Sequence, residues 1–321
     1  MRTEYNFIEA KKRWHEICES KEYYMPIYHK DWYWNAVCDN PNEWCVIVYE
    51  DKDVIAAFPF GYKKVHGMWR IENVWQVARA GIWTFYKKEV SVEKKSKLNC
   101  KIVEYVLARL PIYDYFNVVF LPQYTDCQAL YWNGFTVEVT YNHYIIDRSI
   151  DDVKAKCSKK RRQRINTSSS VYEMKIDDIT IDEYWNFFES VYKCKQAEIS
   201  FPKCKFDKFL KELLKQKCIQ MRSASLEGKL VAVAIYLEDE RCIYHQFCAN
   251  TQGNNDAQTL LTYNTIVDAM AKGKKFDFEG SMIKGVAEYN LSYSPEVEVC
   301  YVIHKESKKY FLMKTLKRLL G

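Results

Sequence analysis

Asp277 and Glu279 stand two apart in FDFEGSMIKG (276–285), alternating with Phe276 and Phe278. Successive side chains of a strand point to opposite faces, so the spacing predicts two rings in a core and two carboxylates together on the other side. Two acids on one strand face raise each other's pKa, which suits a general base that takes a proton from an amine near neutral pH. The plainer alternatives are a solvent-facing edge, or a cap for a helix opening at Glu279-Gly280-Ser281.

Other residues are candidates for binding. Lys154, Lys156, Lys159, Lys160, Arg161, Arg162 and Arg164 fall within the eleven residues 154–164, a run that attracts phosphates unless it is only a solvated surface. Arg161 and Arg164, three apart, can share a helix face and grip one phosphate. In CIYHQFCA the alternation puts Ile243, His245 and Phe247 on one face. A lone His there reads as a core residue, and Gln246, on the opposite face, as the one that reaches a cleft. Gln123, after Pro122 at the end of a buried strand, would make polar contact with an extended substrate.

The elements that must position these residues are legible in part. At 321 residues the chain is long for one core and suggests two domains, with a 16% aromatic fraction and only 10 Gly. The 12 Cys form no C-x-x-C pair and the 6 His are dispersed without H-x-x-x-H, so reduced thiols and no metal site are expected. MRTEYNFIEAKKRW is charged where a signal peptide is apolar, and no apolar run is long enough to span a membrane, which makes the cytoplasm the expected location. The net charge of +6 is modest and argues against nucleic acid as the main partner.

Asn6 and Glu9 suggest a capped first helix, 31–38 a second, and 43–60 two strands around a polar turn at 50–53. A further β-like stretch lies at 69–74. Ile102, Val103, Val106 and Leu107 mark a helix over 94–110 stopped by Pro111. A strand at 115–122, a helix at 126–134 and a strand at 135–147 follow. The order then repeats: helices at 183–193, behind Asp182 as cap, and 206–217; strands at 218–226, 230–238 and 242–249; a helix at 256–272 closed by Gly273; strands at 275–279 and 297–304. DKDVIAAF (51–58) aligns with EGKLVAVA (227–234), and YWNGF (131–135) with YNLSY (289–293). The two shifts differ as an insertion within 61–93 would require, and the pattern reads as an internal duplication, 1–150 and 151–321.

This element order is similar to that of the GNAT acyltransferases. Its occurrence twice resembles the Fem-type aminoacyltransferases, which extend peptidoglycan cross-bridges, through LPQYTDCQALYWNGFTVEVTYNHYIID (121–147), SKKRRQRI (158–165) and GKKFDFEGSMIKGVAEYNLSY (273–293). The resemblance implies an α/β (α+β) fold of two tandem GNAT-like domains, each a mixed central sheet flanked by helices. Tyr289 would stand where that fold often has a tyrosine that protonates the leaving thiolate, with a core aromatic as its plainer alternative, and Ser281 would be among the substrate-binding residues. The stretch NTQGNN (250–255), with Asn250 and Gly253, would stand at the acetyl-CoA pyrophosphate loop [Q/R]-x-x-G-x-[G/A], of which it keeps only Gly253. The Fem-type relatives accept an aminoacyl-tRNA donor, as that departure would lead one to expect. The implied activity is transfer of an acyl or aminoacyl group to an amine of a cell-envelope precursor or another phosphorylated acceptor, small or lipid-linked. Its competitors are an acyl-CoA N-acyltransferase with an atypical loop and a non-catalytic RNA- or phosphate-binding module.

Overall fold

Asn6 opens the first helix, its Oδ1 accepting the N–H groups of Ile8 and Glu9 at 3.1 and 3.2 Å. Helix α1 (Phe7–Glu19) then turns Ala10, Trp14, Ile17 and Cys18 into a core. In the computed structural model, which describes residues 5–20 and 22–320, it is followed by α2 (Asp31–Val37), β1 (Trp44–Glu50), β2 (Val54–Val65), β3 (Met68–Glu72), β4 (Trp83–Tyr86), α3 (Val92–Arg109), β5 (Tyr115–Val119), α4 (Gln128–Trp132) and β6 (Thr136–Ile145). The chain continues through α5 (Ile150–Ala155), α6 (Lys159–Val171), β7 (Glu173–Ile176), α7 (Ile181–Cys194), α8 (Lys203–Lys215), β8 (Ile219–Leu226), β9 (Lys229–Glu238) and β10 (Cys242–Asn250). It closes with α9 (Asn255–Ala271), β11 (Lys275–Asp277), α10 (Lys284–Leu291), β12 (Glu296–Glu306) and α11 (Lys308–Leu320).

Two compact units result: Met1–Thr140 with Val299–Gly321, and Tyr141–Glu298. A cut at 150 therefore falls inside the second unit, and residues after 298 belong with the first. The reason is strand pairing: Val302 to Glu306 of β12 run antiparallel to β5, whereas Tyr144 and Ile145 of β6 run antiparallel to β11. Each unit thus takes its last strand from the other half of the sequence. The basic segment 154–164, expected at a junction, forms α5 and the start of α6 inside the second unit.

In the first unit the sheet runs β1-β2-β3-β5-β12, with β4 on the near end of the edge of β2 that holds β3. In the second it runs β6-β11-β10-β9-β8-β7. The aligned segments 51–58 and 227–234 are both hairpin turns feeding a central strand, β2 and β9. Phe276 and Phe278 enter the second core with Ile145, Tyr236, Ile243 and Leu261, as the alternation predicts. Helix α7 is capped by Thr180, not Asp182: Thr180 and Glu183 bond each other's backbone reciprocally, and Asp182 in the first turn pairs with Lys203 instead. Among the described residues no helix is long and apolar enough to cross a membrane.

Candidate active site

Within the second unit, β10 and β11 run parallel for only three residue pairs, Cys242 with Lys275, Ile243 with Phe276 and Tyr244 with Asp277. Their register ends there. On the β10 side a bulge falls between His245 and Phe247, so His245 pairs with Tyr236 and Phe247 with Ile235. Adjacent residues of β9 face opposite ways, which sends His245 and Phe247 to opposite faces. His245 stacks on the Tyr236 ring at 5.2 Å, while Phe247 packs against Phe188, Phe201 and Phe206 of the α7–α8 layer. The expected shared face of Ile243, His245 and Phe247 is thereby corrected, and Gln246 is the bulged residue itself. Burial pushes the His245 imidazole down to about 4, so it is neutral, and its Nε2 is shielded from solvent without a hydrogen-bond partner.

On the β11 side the strand stops at Asp277, two residues short of the expected end. Asp277 Oδ1 accepts the Glu279 N–H at 2.7 Å, an Asx turn that pulls the backbone out of the ladder. Glu279 and Gly280 then adopt φ of 62° and 64°. Gly280 is required: a Cβ there would lie 2.2 Å from Tyr141 O and 2.8 Å from Asn142 Cα. The alternation that put both carboxylates on one open face ends with the turn, so the two acids have different surroundings. Asp277 is 2% exposed, and its Oδ2 accepts Asn142 Nδ2 at 3.0 Å. Asn142 Nδ2 also reaches Glu298 Oε1 at 2.7 Å, and Lys275 Nζ lies 2.6 Å from Glu298 and 3.6 Å from Asp277.

With both oxygens engaged, Asp277 positions the turn. Asp277→Ala is expected to cost about 2–4 kcal/mol in urea denaturation, because it strands Asn142 and frees the Glu279 N–H. An unchanged denaturation midpoint would remove that role.

Glu279 is the other case. Its Oε1 is shielded from solvent and has no hydrogen-bond partner, and burial alone pushes the carboxyl up to about 8. The raised pKa was expected; its cause is desolvation, not the neighbouring acid. A carboxyl that exchanges its proton near neutral pH, at the point where two parallel strands part, has the properties of a general base.

Helix α10 follows the turn. Ser281 Oγ accepts the Ile283 N–H at 3.0 Å, so it caps the turn leading into α10. Tyr289 OH lies 3.1 Å from Thr262 Oγ1 and 3.0 Å from Tyr293 OH, and burial raises its pKa. Arg161 does not stand open to a phosphate. It is 4% exposed, donates to Ser292 Oγ at 2.7 Å and to Thr259 Oγ1, and packs its guanidinium 4.4 Å from the centroids of both Tyr289 and Tyr293. Arg164 pairs with Asp256 at 3.4 Å. The two arginines do face one neighbour, α9, but it is protein that they grip. Arg162 donates to the carbonyls of Ala155 and Cys157.

At the start of α9, Gly253 takes φ 84° with open space around it. Asn250 Nδ2 donates to Asn255 Oδ1 at 3.0 Å, Asn254 Nδ2 to Thr251 Oγ1 at 2.9 Å, and Tyr172 OH to Asn254 Oδ1 at 3.1 Å. Asp256 adds a carboxylate to the first turn. A helix N-terminus favours anions, but here an acid of the chain already occupies it.

The first unit lacks this opening. Beyond the parallel pairs of β3 and β5, residues 73–82 lie alongside β5: Asn73 Oδ1 accepts the Val119 N–H at 2.8 Å, and Ala80 bridges Phe120. A Cβ on Gly81 would lie 2.5 Å from the Phe120 ring. The insertion inferred within 61–93 supplies this plug. Gln123, exposed in the turn after β5, belongs to the first unit and is not assembled with the residues above. Asn142, Lys275, Glu298 and Thr262 escaped sequence reading; the one local hint was a polar Asn inside an otherwise β-forming run.

No family model and no curated protein matches the sequence. Solved structures do. FemX is similar over 91% of this chain and 95% of its own, with a TM-score of 0.65 at 10% identity. The chain has the Fem-type tandem fold. The C-terminal domain of a putative lysylphosphatidylglycerol synthetase from Agrobacterium fabrum is similar over 98% of both chains, with a TM-score of 0.56 at 11% identity. A conserved protein of unknown function from Bacteroides thetaiotaomicron covers 95% of this chain and 99% of its own, with a TM-score of 0.55 at 12% identity. At these identities the likeness is one of fold.

Proposed function

We propose that the protein is a transferase that moves an aminoacyl or acyl group onto an amine, with Glu279 as the base. The observation that carries this reading is the Glu279 carboxyl, half-buried, with Oε1 shielded from solvent and without a hydrogen-bond partner and a pKa near 8, where β10 and β11 part. In the reaction the amine nitrogen attacks the carbonyl carbon of the donor ester, and Glu279 takes the ammonium proton. The carbonyl–oxygen bond to the leaving group then breaks, and that oxygen takes up a proton. Tyr289, kept protonated by burial, can supply it. Tyr289→Phe should then lower kcat about tenfold or more while costing only about 1 kcal/mol of stability; an unchanged kcat would release Tyr289 to a packing role.

An aminoacyl ester suits the start of α9 better than a CoA thioester, because Asp256 and the self-paired asparagines oppose a pyrophosphate there. The resemblance of residues 121–147, 158–165 and 273–293 to the Fem-type aminoacyltransferases points to a cell-envelope precursor as the acceptor, small or lipid-linked. A ligand that binds the native state raises its melting temperature, so saturating acetyl-CoA and longer acyl-CoAs are expected to leave the transition where it is. A rise of several degrees with any CoA thioester would instead favour an acyl-CoA N-acyltransferase. Against the RNA-binding reading, Arg161, Arg162 and Arg164 all make contacts within the chain.

A further inference from the structure

Helix α11 is docked the unusual way round. Its sequence, KKYFLMKTLKRLL, is amphipathic and carries five cationic residues and no acidic one. The closest contacts that hold it to the first unit come from Tyr310 and Lys314, one turn apart on a single face: Tyr310 stacks on Tyr115 at 4.6 Å, with the Arg70 guanidinium 5.6 Å from its ring, and Lys314 pairs with Glu306 at 2.8 Å. Lys309, in the first turn, also lies 3.8 Å from Asp114. The apolar residues point away: Phe311 is 64% exposed, Leu312 60%, Met313 49% and Leu316 43%. A soluble helix normally turns such residues inward, and isolated exposed apolar side chains need no explanation. Four in six positions on a cationic helix fixed by its other side do need one.

We propose that α11 is an attachment site for an anionic lipid surface, lying in the headgroup plane with Phe311, Leu312 and Leu316 in the acyl boundary. Charge complementarity chooses this occupant. Two of the five cations are paired to acids of the first unit, and the balance of the helix remains positive, with no carboxylate of its own to repel anionic headgroups. A basic amphipathic helix with Phe and Leu on its apolar side binds membranes by the sum of buried apolar area and headgroup attraction. A second copy of the chain would bring the same cations face to face, which disfavours self-association through this helix. The proposal stands apart from the transfer chemistry, because it concerns only the first unit and its readout is binding.

The test is co-sedimentation of the full chain with phosphatidylcholine vesicles, with and without about one quarter phosphatidylglycerol. The expected result is binding to the anionic vesicles only, weakened by salt, and reduced about tenfold or more in the Phe311→Ser/Leu312→Ser/Leu316→Ser variant. These side chains are already exposed, so the variant should fold, with circular dichroism as the check. If it does not fold, Leu312→Ser alone carries the comparison. Absence of binding to anionic vesicles, binding indifferent to the substitutions, or an apolar-face-dependent dimer that does not bind vesicles would each overturn the proposal.

Discussion

Glu279→Gln is expected to lower the transfer rate by about 10²–10⁴-fold, the range that loss of a positioned general base produces, while the fold is retained. Gln keeps the shape of the side chain in a site where Oε1 already lacks a partner, so little packing is lost. The same substitution has a stability signature of opposite sign. Unfolded, Glu279 titrates at its ordinary 4.5; folded, burial raises this to about 8. Between those values the native state holds a proton that the unfolded state has released, so stability declines as pH rises through this window. It is greatest below about 4.5, and the full penalty is present above about 8. The separation corresponds to at most about 5 kcal/mol. Glu279→Gln should therefore match the wild type in acid and be the more stable protein in alkali, a trade of stability for activity expected at a working site. Melting curves of both proteins across that range would reveal a parallel pH dependence if Glu279 were an ordinary exposed acid.

Gly280→Ala is expected to be the most damaging small change to the turn. A methyl group would meet the Tyr141 carbonyl oxygen at 2.2 Å and Asn142 Cα at 2.8 Å, both backbone atoms that no rotamer change can move aside. The φ of 64° adds a left-handed penalty. Together these amount to about 3 kcal/mol or more, and relief by backbone movement would shift Glu279 as well, so activity should fall with stability. Gly253→Ala is the natural control. It has the same sign of φ, 84°, but no atom within 4 Å, and should cost only about 1–2 kcal/mol. Equal losses in the two variants would mean that conformation alone, and not the close approach, makes Gly280 necessary.

Local patterns carried the element order well because they are local. The Ile102, Val103 and Val106 stripe of α3 and the hairpin turns before β2 and β9 are all fixed by neighbours in sequence. The FDFE alternation correctly sends Phe276 and Phe278 inward. It fails at Glu279 because an Asx turn from Asp277 competes with the strand and wins. The His245 face departs from simple alternation for a similar reason: a one-residue bulge inverts every side chain beyond it, and no residue type in CIYHQFCA announces one. Partners remote in sequence were beyond reach altogether. Asn142 meets Asp277 and Glu298 only because β6 pairs with β11, a crossing of the two halves of the chain. The basic run looked like a phosphate site because its charges are dense. Arg161 is instead the buried cation between two tyrosines, and Arg164 the partner of Asp256. Residues 73–82, which read only as an insertion, close in the first unit the opening that the second keeps.

In the proposed mechanism Glu279 accepts the amine's proton from a site where burial holds its pKa near 8. The most direct measurement is the single-turnover rate of transfer from an aminoacyl-tRNA to an amine acceptor between about pH 6 and 9, for the wild type and Glu279→Gln. The expected result is a wild-type rate that climbs with an apparent pKa near 8 and a low rate in the variant that lacks this rise. A variant that keeps the wild-type rate and pH profile would contradict it.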